Sequence, residues 1–159
     1  MPQVKIVSPH RIPQPYRSLL VHDSDMTMTL ERHFGDLTVL RPLSTFSFDG
    51  SYFRHVLLVQ AHSGRPVVMG AIRVQLDAFN QRLKAKILKG QIPLGRILRE
   101  GRFTYARRVN AFLAVTPNPE IMGIFWMGEV RVLYGRRTEI FHHDAKIGDI
   151  VEVLPLVSR

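Results

Sequence analysis

Apolar and polar positions alternate along most of this chain. Residues 53–61 (FRHVLLVQA) and 67–76 (VVMGAIRVQL) are rich in apolar and β-branched side chains, and His62-Ser63-Gly64-Arg65 between them supplies a turn. That arrangement predicts a hairpin. Residues 37–43, 107–115, 121–132, 138–141 and 150–157 are further strand candidates. Helical spacing is confined to three places. Met26, Leu30 and Phe34 recur at i, i+4 and i+8 behind the capping cluster His22-Asp23-Ser24-Asp25, and Gly35 follows as a stop. A second helix is expected over 77–88, with Phe79, Leu83 and Ile87 on one side, Arg82, Lys86 and Lys89 on the other, and Gly90 ending it. Residues 94–99 after Pro93 form a third, short one. Strands outnumber helices and most links are short, so the predicted class is α+β, one antiparallel sheet with helices packed on it.

Length and composition narrow this picture. The 159 residues suit a single domain able to bury its own core. Residues 1–18, with Pro2, Pro9, Pro13 and Pro15, read as an extended arm, and 19–159 as the domain proper. There is no cysteine, which excludes disulfide frameworks, thiolate metal sites and cysteine nucleophiles. No apolar run has the length of a membrane span and no secretory signal opens the chain, so a cytoplasmic location is expected. Arginine and lysine exceed aspartate and glutamate by 22 to 13, and nine of the cations fall between Arg82 and Arg108 against one acid, Glu100. This favours an anionic partner. Nucleic acid is set aside because no recognisable binding module is present and Phe103 and Tyr105 are too few for a stacking platform.

Two charged residues stand out by position. Glu152 interrupts an apolar strand and shares a face with Ile150 and Leu154. A carboxylate there is either neutralised by an arginine as a plain ion pair or serves as an acceptor or base for a ligand. Arg54 shares strand parity with Val56 and Leu58. It either snorkels to solvent at a strand end or grips a carboxylate with its planar fork. Metal chemistry has no support. His142-His143-Asp144 is a turn, adjacent strand side chains point to opposite faces, and no spaced ligand set exists. Gly135-Arg136-Arg137-Thr138 lacks the glycine-rich loop of a nucleotide cradle, and there is no serine nucleophile elbow.

Several segments, taken in order, resemble the chorismate pyruvate-lyase family. They are Leu19-Leu20-Val21-His22-Asp23-Ser24-Asp25-Met26-Thr27 with Leu30-Glu31, then Phe53-Arg54-His55-Val56-Leu57-Leu58, and Pro66 to Gly70. Ile92-Pro93-Leu94-Gly95-Arg96-Ile97-Leu98, Tyr134-Gly135-Arg136-Arg137-Thr138 and Val151-Glu152-Val153-Leu154-Pro155 complete the set. Asp25 stands as an extra residue in the first segment, and residues 103–127 match poorly. The resemblance implies a six-stranded antiparallel sheet with two helical flaps over a buried site. It also implies a cofactor-free lyase that removes pyruvate from chorismate to give 4-hydroxybenzoate, in aromatic, ubiquinone-type biosynthesis. Arg54 would hold the ring carboxylate with help from the Leu94 amide. Glu152 would meet the oxygen at the opposite ring carbon, Met26 and Thr27 would contact the ligand from the first flap, and Gly70 would lie against the ring. Arg73 or a residue of the Arg96–Arg108 stretch would hold the second carboxylate. The alternative is a sensor domain of the same fold that binds an aromatic acid without turning it over.

Overall fold

The computed structural model describes residues 2–155, with the side chains of residues 38–44 outside the description. Its elements in chain order are β1 (Gln3–Val7), α1 (Tyr16–Leu20), α2 (Met26–Phe34), β2 (Leu37–Phe48), β3 (Ser51–Gln60), β4 (Pro66–Gln75), α3 (Gln81–Lys89), α4 (Leu94–Glu100), β5 (Ala106–Thr116), α5 (Pro119–Ile124), β6 (Leu133–His142) and β7 (Ala145–Leu154). The strands form one antiparallel sheet in the order β1-β5-β6-β7-β4-β3-β2. The expected α+β class is what the chain adopts, with seven strands where six were expected. The added strand is β1, inside the segment read as an arm, which pairs with β5 at the sheet edge. Residues 156 and 157 of the last expected strand lie outside the described residues.

The helix boundaries follow local chemistry. Asp25 caps α2 by accepting from Thr27 N at 3.3 Å, and Gly35, at φ 84°, ends it. The helix α3 starts at Gln81, later than the expected 77. Asn80 accepts from Leu83 N at 2.9 Å, and residues 76–78 close into a separate 3-10 turn. Gly90, in the left-handed region, stops it as the sequence predicts. The expected strand over 121–132 is instead helix α5 followed by a loop. Asn118 caps it, accepting from Ile121 N at 2.9 Å, and Pro119 occupies its first turn. Ile121 and Phe125, one turn apart, then face the same apolar cluster.

Strand alternation sorts the core onto two faces. On the inner face, Val56, Leu58, Val68 and Leu154 pack with Leu20, Met26 and Leu30 under α1 and α2. Ile72, Val74 and Ile140 pack with Leu83, Ile87, Leu94 and Ile97 under α3 and α4. On the outer face, Leu57, Leu113, Val115, Leu133 and Val153 pack under α5. Full burial of each such aliphatic side chain stabilises the fold by about 2 kcal/mol. The inner face is therefore covered by two separate helix pairs with a gap between them.

Candidate functional site

The gap between the two inner clusters is a cavity, lined in part by Met26, Thr27, Arg54, Gly70, Leu94 and Glu152. These six are the residues singled out from the sequence, and the fold brings them all to one place. Their register explains how. Val56, Gly70, Glu152 and Arg136 lie opposite one another across β3, β4, β7 and β6, and Arg54, Ile72, Ile150 and Thr138 form the next row. The floor is sheet. The roof is the start of α2, with Met26 and Thr27, and the start of α4, with Leu94 and Gly95. The cavity enclosed between floor and roof is about 60 Å³.

The roof helices are held together by charge. Arg96 of α4 pairs with Glu31 of α2 and also donates to Leu37 O at 3.2 Å, while Arg99 Nη1 lies 3.4 Å from Asp25 Oδ2. A Cβ at Gly95 would collide with the Asp25 carboxylate, so the glycine lets α4 approach the α2 cap.

Arg54 is 3% exposed, and its Nη1 donates to Ile87 O at 3.2 Å. That carbonyl lies in the last turn of α3, where the helix dipole is negative. Among the described residues no carboxylate lies within ion-pair distance of Arg54, and its Nε has no partner. Burial pulls the Arg54 pKa below the usual arginine range, with Tyr52 opposing.

Arg136 is 1% exposed on the same face. Its Nη1 donates to Leu20 O at 3.3 Å and His22 O at 2.8 Å, and its Nη2 to Ser24 O at 2.9 Å. One side chain thus ties down the loop that leads into α2. Its Nε has no hydrogen-bond partner among the described residues and stands 3.9 Å from Glu152 Oε1. His22 in that loop holds Leu19 O through Nε2 at 2.7 Å and accepts from Ser24 N at Nδ1, and burial lowers its pKa.

Glu152 is recessed in the cavity wall. Burial pushes its carboxyl up to about 7, with Arg136 and Arg107 pulling down and Asp25 pushing up. Thr138, beside it on the floor, has a buried hydroxyl with no partner among the described residues. Gly70 lies in the middle of the floor, where an added Cβ would meet Val56 Cγ2 only at 3.7 Å and Val151 O at 3.9 Å. By contrast, a Cβ at Gly135 would collide with Glu152 O. The fold requires Gly135, whereas it leaves room for a side chain at Gly70.

Arg107, within the Arg96–Arg108 stretch offered for a second carboxylate, also lines the cavity, as do Arg136, Thr138 and Tyr105, to which the sequence assigns no role. A signal for Arg136 exists. Tyr134, Arg136, Thr138 and Ile140 alternate as Glu152 does with Ile150 and Leu154, and Arg136 sits in that inward set. The placement expected for Arg73 is corrected. It projects from the outer face, where its Nη2 meets Asp149 Oδ2 at 2.8 Å. Its odd position on β4 puts it on the side opposite Gly70 and Ile72. Among the described residues no three His, Asp or Glu side chains gather as a metal site, and no helix is long and apolar enough to cross a membrane.

No family model and no curated protein sequence matches this chain. Solved structures do. A Staphylococcus aureus gene product aligns with a TM-score of 0.59 at 8% identity, over 78% of this chain and 85% of its own. PhnF from Mycobacterium smegmatis aligns with a TM-score of 0.59 at 8% identity, over 86% of this chain, which spans 65% of PhnF. A GntR-family transcriptional regulator from Enterococcus faecalis aligns with a TM-score of 0.49 at 8% identity, over 77% of this chain and 99% of its own. The architecture shared with them is the chorismate lyase-like fold. The expectation that this chain is itself a chorismate pyruvate-lyase is corrected here: none of the structures it resembles is named as a lyase, and one is named as a transcriptional regulator. A fold by itself carries no chemistry. The expected place in aromatic, ubiquinone-type biosynthesis falls with the lyase.

Proposed function

We propose that the chain is a small-ligand binding domain of the sensor type that encloses an aromatic acid without transforming it. The observation that carries this reading is Arg54. A buried guanidinium with no carboxylate partner among the described residues is costly to keep, and this one lines a cavity with a largely apolar wall. A ligand carboxylate would complete it through paired charge-assisted hydrogen bonds. On this reading the Leu94 amide assists at the carboxylate, Met26 and Thr27 close over the ring, Gly70 leaves space for its face, and Glu152 meets the far end. The α2–α4 roof shields the pair from water, which strengthens it.

The probe is 4-hydroxybenzoate, followed by thermal shift and calorimetry. Binding should raise the melting temperature of the wild-type chain. Arg54→Met should lower affinity by at least a hundredfold, the scale of losing a buried charged hydrogen bond, while leaving the melting temperature of the free protein unchanged or higher. Undiminished affinity in Arg54→Met would remove Arg54 from the site. Pyruvate release from chorismate by the wild-type chain would contradict the non-catalytic reading.

A further inference from the structure

The far end of the cavity holds an arrangement that a simple hydroxyl does not complete. Two buried donors point there without partners among the described residues, Arg136 Nε and Thr138 Oγ1. The remaining nitrogens of Arg136 are already committed to the carbonyls of Leu20, His22 and Ser24. Glu152 stands 3.9 Å from Arg136 Nε, beyond hydrogen-bond distance, and among the described residues no other carboxylate pairs with it. Both unpartnered donors call for an acceptor on the ligand. Arg54, at the other end, calls for a second one. By strand spacing, Arg54 and Glu152 lie roughly 12 Å apart at Cα, two strands over and one two-residue step along.

We infer that the preferred ligand is a small diacid, one carboxylate on Arg54 and the other on Arg136 and Thr138, and that Glu152 takes up a proton when it binds. This rests on the binding reading above and names its ligand class. The charge balance requires the proton. A second carboxylate beside an ionised Glu152 would place two like charges in a recessed site, a pairing that forces one of them to protonate. Protonated Glu152 becomes a donor, so three donors then converge on one acceptor group. The other charged groups that face Glu152 are Arg136 on β6, Arg107 on β5 and Asp25 at the α2 cap, with Arg54 on β3 across the cavity. Tyr105 lines the same space with its pKa raised by burial, and stays neutral. His22, which contacts Arg136 from the loop, has its pKa lowered by burial. None of these replaces Glu152 as the group that titrates near neutrality.

The test uses the full chain and two probes, terephthalate (an acceptor at both ends) and 4-hydroxybenzoate (a donor at the far end). Each is titrated calorimetrically at pH 6 and pH 8 in two buffers of different ionisation enthalpy. Terephthalate should bind about tenfold more tightly at pH 6 than at pH 8, with heats that reveal proton uptake. For 4-hydroxybenzoate the slope should reverse, because its hydroxyl needs the ionised acceptor. Glu152→Gln should bind terephthalate with the same affinity at both pH values. A flat terephthalate profile, or an unchanged slope in Glu152→Gln, overturns the inference. If 4-hydroxybenzoate binds and terephthalate does not, the inference falls and the binding reading stands. If a chain folded by circular dichroism binds neither, the binding reading falls and takes the inference with it.

Discussion

Arg54 and Arg136 occupy the two ends of one cavity and are almost equally buried, yet their surroundings are opposite. Arg136 is held by the protein at both of its Nη nitrogens. Three backbone carbonyls of the loop before α2 receive its Nη groups, and Glu152 balances its charge at 3.9 Å. Among the described residues, Arg54 has one carbonyl and no carboxylate. Burial lowers the pKa of both, with Glu152 opposing it at Arg136 and only Tyr52 at Arg54. The contrast separates an arginine that mainly holds the chain from one that is mainly receptive. Where a buried cation already has its partners, its task is to hold the chain. Where it lacks a carboxylate and faces a cavity, that partner is to come from outside.

The comparison can be broken most directly at Arg136. Arg136→Met should destabilise the fold by about 3–5 kcal/mol, because it leaves three carbonyls unpaired and Glu152 alone in the wall. Chemical denaturation measures this, and the Arg54→Met chain serves as the contrast. Comparable losses from both would erase the distinction. The next effect belongs to Glu152. Its folded pKa of about 7 lies above the ordinary 4.5, so the native state holds the proton more tightly than the unfolded chain does. Its contribution is therefore fully present at low pH and is lost as pH rises from about 4.5 to 7. Glu152→Gln should remove that loss and gain up to roughly 3 kcal/mol over wild type at pH 8, with little difference at pH 4. Equal differences at both pH values would remove Glu152 as the source of the slope. The smallest stability effect is expected at Gly70. Gly70→Val should change stability by less than about 1 kcal/mol, since the first added carbon meets only ordinary contacts. It should nevertheless weaken 4-hydroxybenzoate binding at least tenfold by filling the floor. Undiminished affinity in the Gly70→Val chain would place the ligand elsewhere.

Much of the site is legible because strand parity is local. Arg54 and Glu152 stand out as charges on apolar faces, and both are on the inward face. The start of α2 is legible from Asp25, Met26, Leu30 and Gly35, which act within one or two turns. Residues 121–132 mislead because a run of apolar residues fits a buried strand as well as a buried helix. The cap at Asn118 and the proline after it are the deciding signals. Arg73 is misplaced although its parity is legible: three residues from Gly70 on one strand, it falls on the opposite face.

The sequence by itself determined which side chains share a strand face, where α2 and α3 stop, and that no thiol chemistry is possible. These follow from backbone periodicity, capping groups and composition, all of which act over a few residues. Tertiary structure alone decided that Arg136, 112 to 116 residues away along the chain, would capture the carbonyls of Leu20, His22 and Ser24. It also decided that Arg73 would meet Asp149 on the far face and that Arg54 would find no carboxylate among the described residues. Those outcomes depend on the order β6-β7-β4-β3 and its register. That order is selected by the burial of whole faces, and no short stretch of sequence records it.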